Sequence, residues 1–142
     1  MQQFVHQESR ALSRDEMEHF VKGHSYGRLG LCLVNEPYVV PVAYGYEQGK
    51  IYFHSARQGK KLDLIRKNDR VCFQVDEWQK DWASVICYGK AILREDVEAK
   101  KKCFEIMIGQ KLSEEHLQNV KVCIGIVQIE EMTGRCSADF SL

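Results

Sequence analysis

The stretch Pro37-Tyr-Val-Val-Pro-Val-Ala-Tyr-Gly-Tyr46 decides the fold, together with two segments that follow it, Ile51-Tyr-Phe-His-Ser-Ala56 and Gly59-Lys-Lys-Leu-Asp63. The first two segments are rich in β-branched and aromatic residues, which predicts two strands joined by a short turn. The third predicts a helix that begins with Lys60 and Lys61. Such a helix start places two cations beside free backbone N–H groups, and this combination favours binding of a phosphate.

The strands that precede this helix start are apolar and aromatic, so a flat ring could lie against them. A phosphate anchor beside an apolar wall is typical of a site for a nucleotide-like cofactor. The sequence contains no Gly-x-Gly-x-x-Gly after a strand and no regular alternation of strands and helices, which argues against a dinucleotide-binding Rossmann fold.

Composition indicates an ordinary globular protein. The 142 residues suit a single domain over 1–142, with 1–12 and 136–142 as peripheral tails. Apolar residues make up 44% and charged residues 28%, and the formal net charge is zero, which argues against a nucleic-acid binder that works through a broad basic surface. We expect a cytoplasmic protein, because no apolar run approaches the roughly 18 residues of a membrane span.

The six cysteines are best interpreted as small apolar residues of a reducing compartment. Cys32, Cys72, Cys87 and Cys123 lie inside apolar, strand-like runs, which predicts that they are buried, whereas Cys136 lies in a polar segment that we expect to be exposed. No cysteine pair or Cys/His group has metal-ligand spacing, so the sequence predicts no metal site.

The remaining pattern predicts a mainly β fold. Helices are expected at about 14–23, 60–67 and 96–108, the first of them after the capping box Ser13-Arg-Asp-Glu16. Strands are expected at about 28–34, 38–46, 51–54, 70–75, 82–93 and 120–129, and a loop or tail from Thr133 onward. Pro41 lies inside the second strand, which predicts an edge position or a bulge. Six antiparallel strands of this length close best into a small barrel.

Seven segments follow one another in an order and spacing that resemble a known superfamily. They are Arg28-Leu-Gly-Leu, the Pro37 and Ile51 segments quoted above, Gly59-Lys-Lys-Leu-Asp, Arg70-Val-Cys-Phe-Gln-Val-Asp, Ser84-Val-Ile-Cys-Tyr-Gly-Lys-Ala and Glu131-Met-Thr-Gly-Arg. Together they resemble the pyridoxamine-5'-phosphate-oxidase-like FMN-binding split barrels, and among these the Nim-type 5-nitroimidazole reductases involved in resistance. The resemblance extends over about residues 13–135.

This resemblance implies a homodimer with FMN bound at the subunit interface. It implies that Ser55, Lys60 and Lys61 hold the phosphate, that the backbone near Val40, Pro41 and Val42 faces the ring, and that Ser84 and Val85 approach from the partner subunit. Phe53 and His54 complete the set of cofactor-binding residues that it implies.

The resemblance also places His54 near the flavin, which makes it the candidate catalytic residue. An unperturbed imidazole titrates near ~6.5 and can therefore donate a proton to a reduced acceptor. Two alternatives stay open for Trp78 and Trp82, which either line the cofactor pocket or pack at the barrel rim. Two also stay open for Arg57, which either helps to bind the phosphate or lies on a loop surface. Relatives often have two consecutive basic residues near the end of the chain. Here the first of these positions is the basic Arg135, and the second is Cys136.

The function that follows from the resemblance is an FMN-dependent oxidoreductase that passes electrons from reduced flavin to a small planar acceptor such as a nitroimidazole. One alternative is a non-enzymatic flavin- or haem-binding module, in which His54 would be an axial ligand. The other is a reductase that uses a deazaflavin cofactor. The fold alone cannot distinguish the substrates.

Overall fold

The computed structural model describes residues 8–142, so most of the predicted N-terminal tail lies outside the described residues. Within this part of the chain there are eight strands: β1 (Ser9–Ala11), β2 (Tyr26–Leu33), β3 (Glu36–Ala43), β4 (Gly45–Glu47), β5 (Lys50–Ser55), β6 (Arg70–Trp78), β7 (Trp82–Arg94) and β8 (Cys123–Ser137). Four helices connect them: α1 (Arg14–Lys22), α2 (Lys60–Lys67), α3 (Val97–Ile108) and α4 (Glu114–Gln118).

The strands form one antiparallel sheet in the order β3-β2-β6-β7-β8-β5-β4, with β1 paired to the end of β8. The two long strands β7 and β8 are paired along most of their length and form the centre of the sheet. A register shift between Tyr88 and Gly89 interrupts this pairing, where a Cβ on Gly89 would lie 1.9 Å from the Gln128 carbonyl oxygen. The bulge therefore needs glycine, because the two backbones approach too closely for a side chain.

The sheet curls because its two edge strands are consecutive in sequence. Strand β3 ends at Ala43 and β4 begins at Gly45, so a single residue, Tyr44, joins the opposite edges of the sheet. The Tyr44 N–H donates to the Ser25 carbonyl, and its hydroxyl donates to the carbonyl of Val21 at the end of α1. The result is a barrel whose hydrogen-bonded path is open between β3 and β4.

Apolar side chains fill the barrel and also cover part of its outside. The inner core contains Leu29, Val42, Phe53, Phe73 and Val85, and α1 closes one end with Met17, Phe20 and Val21. A second cluster, formed by Tyr52, Ala99, Cys103, Ile124 and Ile126, lies between α3 and the outer face of β5 and β8. These two strands are therefore buried on both faces at Tyr52, Ile124 and Ile126.

The predicted antiparallel, mainly β fold is confirmed, and so is the edge position of Pro41, since β3 ends the strand order. The predicted counts of six strands and three helices are wrong. Tyr44 divides the strand expected at 38–46, and β1 and α4 are too short to give a clear periodic signal. The tail expected from Thr133 is wrong as well, because β8 continues to Ser137 between β7 and β1.

Two cysteine predictions are also corrected. Cys136, expected to be exposed, is buried where β8 pairs with β1, and Cys32, expected to be buried, lies on the outer face of β2 and is exposed. Burial raises the pKa of the Cys87 and Cys103 thiols to about 12, which makes both poor nucleophiles. Among residues 8–142, no helix is long and apolar enough to span a bilayer.

Candidate cofactor site

The N-terminus of α2 has no side-chain cap. Its N-cap residue is Gly59, with φ 145° and ψ 170°, a conformation that is essentially restricted to glycine. The first helical hydrogen bond runs from the Asp63 N–H to the Gly59 carbonyl, at 3.0 Å, so the N–H groups that precede Asp63 in the helix have no partner inside it. These donors, with the positive end of the helix dipole, are available to an anion.

The other three described helices satisfy this end themselves. Ser13 accepts from the Glu16 N–H in α1, Asp96 from the Ala99 N–H in α3, and Ser113 from the His116 N–H in α4. Residues with short polar side chains are the preferred N-caps for this reason. Among the described helices, α2 therefore differs from the other three in having no side-chain cap, which leaves its N–H donors available to an anion.

Two lysines stand in the first turn of α2. The Lys60 ammonium lies 4.6 Å from the ring centroid of Tyr38 on β3, and the Lys61 ammonium lies 5.8 Å from that of Phe53 on β5. Among the described residues, no carboxylate lies within 4.0 Å of either ammonium. Burial lowers the pKa of Lys61 from its ordinary value of 10.5. Both cations oppose the helix dipole, and a bound anion would relieve this repulsion.

The contact between Lys60 and Tyr38 brings the helix start beside the edge strand β3. Within β3, Val40 and Val42 pair with Leu29 and Gly27 and face the barrel interior, whereas Pro41 pairs with Arg28 and faces outward. Because β3 is an edge strand, part of its backbone has no strand partner. The structure thus brings Lys60, one of the predicted phosphate residues, beside the strand that is predicted to face the ring.

Strand β5 divides the remaining predicted residues between two faces. Phe53 is fully buried in the barrel, and Ser55, two residues later, is half-buried at the strand end. His54 points to the opposite face, where its ring packs against Phe104 of α3 with centroids 5.2 Å apart. Neighbouring strand residues alternate in this way. The His54 side chain is therefore separated from Phe53, Ser55 and Lys61 by the sheet itself.

Ser84 and Val85 of β7 are divided in the same way. The Val85 side chain is fully buried in the core, so only its backbone could face a partner subunit. Ser84 lies on the outer face and accepts a hydrogen bond from Gln74 Nε2 at 3.1 Å.

A polar row continues from Ser84 across the outer face of the sheet, and the sequence analysis did not find it. Arg28 Nη1 donates to Gln74 Oε1 at 3.2 Å and also to Asp76. The signal was the period-2 placement of Arg28 in an apolar strand and of Gln74 and Asp76 in another, which marks one polar face. The pairing of those strands became visible only in the fold.

Next to this row, the outer face carries a shallow apolar depression of about 630 Å³. Its lining includes Gly30, Cys32, Val39, Cys72 and Tyr88, and Val39 is 64% exposed. An apolar concavity of this size on an open sheet face is typical of a binding surface.

The residues with open alternatives lie elsewhere. Trp78 and Trp82 stack on each other at the β6–β7 turn, with centroids 5.5 Å apart, and Trp78 is largely exposed. Arg57 pairs with Glu95 at 2.8 Å. Arg135 donates to the hydroxyl and the carbonyl of Ser9, which ties β1 to β8.

The fold is thus a curled antiparallel barrel with an uncapped, doubly basic helix start beside an edge strand. The sequence profile described as pyridoxamine 5'-phosphate oxidase matches residues 13–136. The chain therefore belongs to the pyridoxamine 5'-phosphate oxidase family, and the membership predicted from the sequence is confirmed.

Similar solved structures extend over most of the chain. A proposed 5-nitroimidazole antibiotic resistance protein of Bacteroides thetaiotaomicron superposes with a TM-score of 0.82 at 24% identity, over 94% of this chain and 90% of that one. A FAD-binding protein of Mesorhizobium loti gives a TM-score of 0.77 at 26% identity, over 92% and 99%. The FAD-binding protein of Mycobacterium smegmatis gives 0.72 at 21% identity, over 90% and 98%.

An uncharacterised protein of Rhizobium meliloti is 32% identical over 83 residues. The match covers 57% of this chain and 54% of that protein, so it spans about half the length of the relative. The family model therefore gives the family, and the similar structures show the fold.

Proposed function

We propose that this protein binds a flavin and acts as an FMN-dependent oxidoreductase, which transfers electrons from the reduced cofactor to a small planar acceptor such as a nitroimidazole. The observation that carries the proposal is the uncapped, doubly basic N-terminus of α2 beside the edge strand β3. The family and the flavin-binding proteins among the similar structures support it.

The donor set fits the terminal phosphate of a flavin. The Ser55 hydroxyl, the ammonium groups of Lys60 and Lys61, and the first N–H groups of α2 would hold it, with charge-assisted hydrogen bonds as the strongest contribution. The edge backbone from Val40 to Val42 and the apolar depression beside it would hold the ring and exclude water. The bound flavin supplies the redox chemistry, and the chain's own residues bind and orient it.

The choice of FMN over FAD is the more specific part of the proposal, because two of the similar structures are FAD-binding proteins. The α2 site suits a terminal phosphate dianion, whose full charge meets two cations and the helix end. FMN ends in such a group, whereas FAD continues through a diphosphate to an adenosine, so the terminal dianion favours FMN.

A homodimer with the flavin at the subunit interface is the proposed assembly. It is supported by the apolar depression on the outer face and by the polar row from Arg28 to Ser84 that borders it. Light scattering should give about twice the 16.5 kDa chain mass. Val39→Lys, on the exposed outer face, should weaken the dimer, and Ile108→Lys, at the end of α3, is the matched control. A monomer that still binds flavin would contradict the proposal that the flavin site lies at a subunit interface.

The test of the function is a flavin titration followed by reoxidation kinetics. Flavin-free protein is titrated with FMN and with FAD, and we expect tighter binding of FMN. The FMN-loaded protein is then reduced with dithionite without oxygen and mixed with a nitroimidazole or a quinone. Reoxidation that is no faster than that of free reduced FMN for both acceptors would favour a binding module over an enzyme. Absence of flavin binding would reject the proposal.

A further inference from the structure

Lys100, near the start of α3, is a buried cation with few contacts. It is only 7% exposed, and α4 packs against the helix that carries it. Its ammonium has three donors, and the one contact that the structure gives is a 3.5 Å hydrogen bond to the Leu117 carbonyl at the end of α4. No carboxylate among residues 8–142 lies within 4.0 Å of it, although its neighbours Lys101 and Lys102 are both paired.

A buried ammonium is costly unless an opposite charge or several hydrogen bonds compensate it. The single long contact to Leu117 accounts for one of its three donors. The methylene stem can pack against apolar neighbours, but the head cannot. Lys100 therefore has unused capacity to bind an anion, in a place where burial would strengthen the interaction.

The surroundings of Lys100 add positive charge. It lines a cavity of about 170 Å³ with Arg57, Glu95, Lys121 and Val122, which combines three cations with one carboxylate. The carboxylate of Glu95 is already paired with Arg57 at 2.8 Å. The cavity thus has an excess of positive charge, and two of its lining cations, Arg57 and Lys121, are exposed.

This cavity adjoins a larger one. A polar depression of about 650 Å³ shares Arg57 and Glu95 with it and is also lined by Gln58 and Arg66. A volume of 170 Å³ accommodates a charged group and not a whole drug-sized ligand, whose pockets measure about 300–1,000 Å³. The adjoining depression has room for the organic part of the same molecule.

We propose that Lys100, Lys121 and Arg57 form a second anion site, which binds the phosphate group of a phosphate monoester while the adjoining depression takes the rest of the molecule. The site shares no residue with the α2 terminus, where Lys60 and Lys61 stand. It therefore does not depend on the proposed flavin function. A dianionic phosphate with three acceptor oxygens matches the excess charge and the unused donors.

The test is calorimetric titration of the full chain, both flavin-free and FMN-saturated, with inorganic phosphate and with phenyl phosphate. We expect phenyl phosphate to bind both forms, and more tightly than inorganic phosphate. Lys100→Met, Lys121→Gln and Arg57→Gln should each weaken binding about tenfold or more. Glu95→Gln should strengthen it, because it removes the competing carboxylate. Lys101→Gln, on the same helix but outside the cavity, is the control and should have no effect.

Three results would overturn the proposal. Binding that is unchanged in both Lys121→Gln and Arg57→Gln would do so even if Lys100→Met failed to fold. Binding of inorganic phosphate without binding of phenyl phosphate would identify free phosphate as the ligand in place of an ester. Binding that disappears in Lys61→Ala or on FMN saturation would place the anion at the α2 terminus. Failure of FMN to bind would reject the proposed function and leave this test intact.

Discussion

The N-termini of α2 and α3 both have backbone N–H groups without partners inside the helix, but only α3 caps them with a side chain of the chain itself. At α3, Asp96 caps the helix through the Ala99 N–H and is itself held by Arg94, whose hydrogen bond lowers the pKa of the Asp96 carboxyl. At α2, a glycine stands at the N-cap and two lysines follow it. At α3 the chain itself supplies the side chain that accepts from the helix end. At α2 the backbone N–H groups and the two lysines have no such side-chain cap and could bind an anionic ligand. The comparison separates a structural helix end from a candidate binding site.

The largest expected effect is at Lys61. Removal of one charge-assisted contact costs about 1.5–3 kcal/mol, so Lys61→Ala should weaken FMN binding roughly ten- to a hundredfold. The measurement is a fluorescence titration of the flavin-free protein. Lys67→Ala, in the last turn of the same helix, is the control. Equal FMN affinity in wild type and Lys61→Ala would take Lys61 out of the site.

The second effect concerns the glycine that leaves α2 uncapped. Gly59 has φ 145° and ψ 170°, where a non-glycine residue is strained by about 1–3 kcal/mol. Gly59→Ala should lower the free energy of unfolding by that amount in a urea titration, although a Cβ there would have no atom within 4 Å. Gln58→Ala is the neighbouring control. A fully stable Gly59→Ala protein would show that the loop relaxes without cost.

The pH dependence of FMN affinity gives the third comparison. Burial lowers the pKa of Lys61 in the free protein below 10.5, and a bound phosphate would raise it again by favouring the charged form. Binding then takes up a proton, so affinity should fall as the pH rises through the lowered pKa, by at most about tenfold per pH unit. Lys61→Arg should remove this fall, because arginine stays charged. The same fall in Lys61→Arg would assign the titration to another group.

A smaller effect is expected at the capped helix. Asp96→Ala should lower the free energy of unfolding by about 1 kcal/mol and leave FMN affinity unchanged. The Asp96 pKa is depressed, so its contribution is present above the pKa of the unfolded chain and is lost as the pH falls through the lower folded value. Urea titrations at neutral and at acid pH measure the loss of unfolding free energy and its dependence on pH, with Glu98→Ala as the control. A change in FMN affinity would contradict the separation of the two termini.

The smallest effect is expected at His54. Since its ring packs on Phe104 across the sheet from Phe53 and Lys61, His54→Ala should change FMN affinity and flavin reoxidation by less than about threefold, well short of a 10²–10⁴-fold acid–base contribution. His116→Ala, on α4, is the control for the loss of a histidine. A hundredfold slower reoxidation with normal FMN binding would support the catalytic role that the family resemblance implies for His54.

Local signals predicted the elements that depend on neighbouring residues. The bounds of α2 agree with the predicted 60–67, and the capping box at Ser13 is formed as expected. Strand β8 was predicted too short, because its polar second half is stabilised by pairing with β1 and β7 and not by its own apolar pattern. The short helix α4 escaped detection, although Ser113 followed by two glutamates was a capping signal.

By itself, the sequence determined the antiparallel β fold, the basic start of α2 and the family, because strand alternation, helix periodicity and capping act over a few residues. Only the tertiary structure decided which side chains meet. In the folded barrel, Lys60 lies against Tyr38, the His54 ring packs on Phe104 of α3, and Lys100 of α3 donates to the Leu117 carbonyl of α4. These contacts join residues that are distant in sequence, and their formation depends on how the barrel closes.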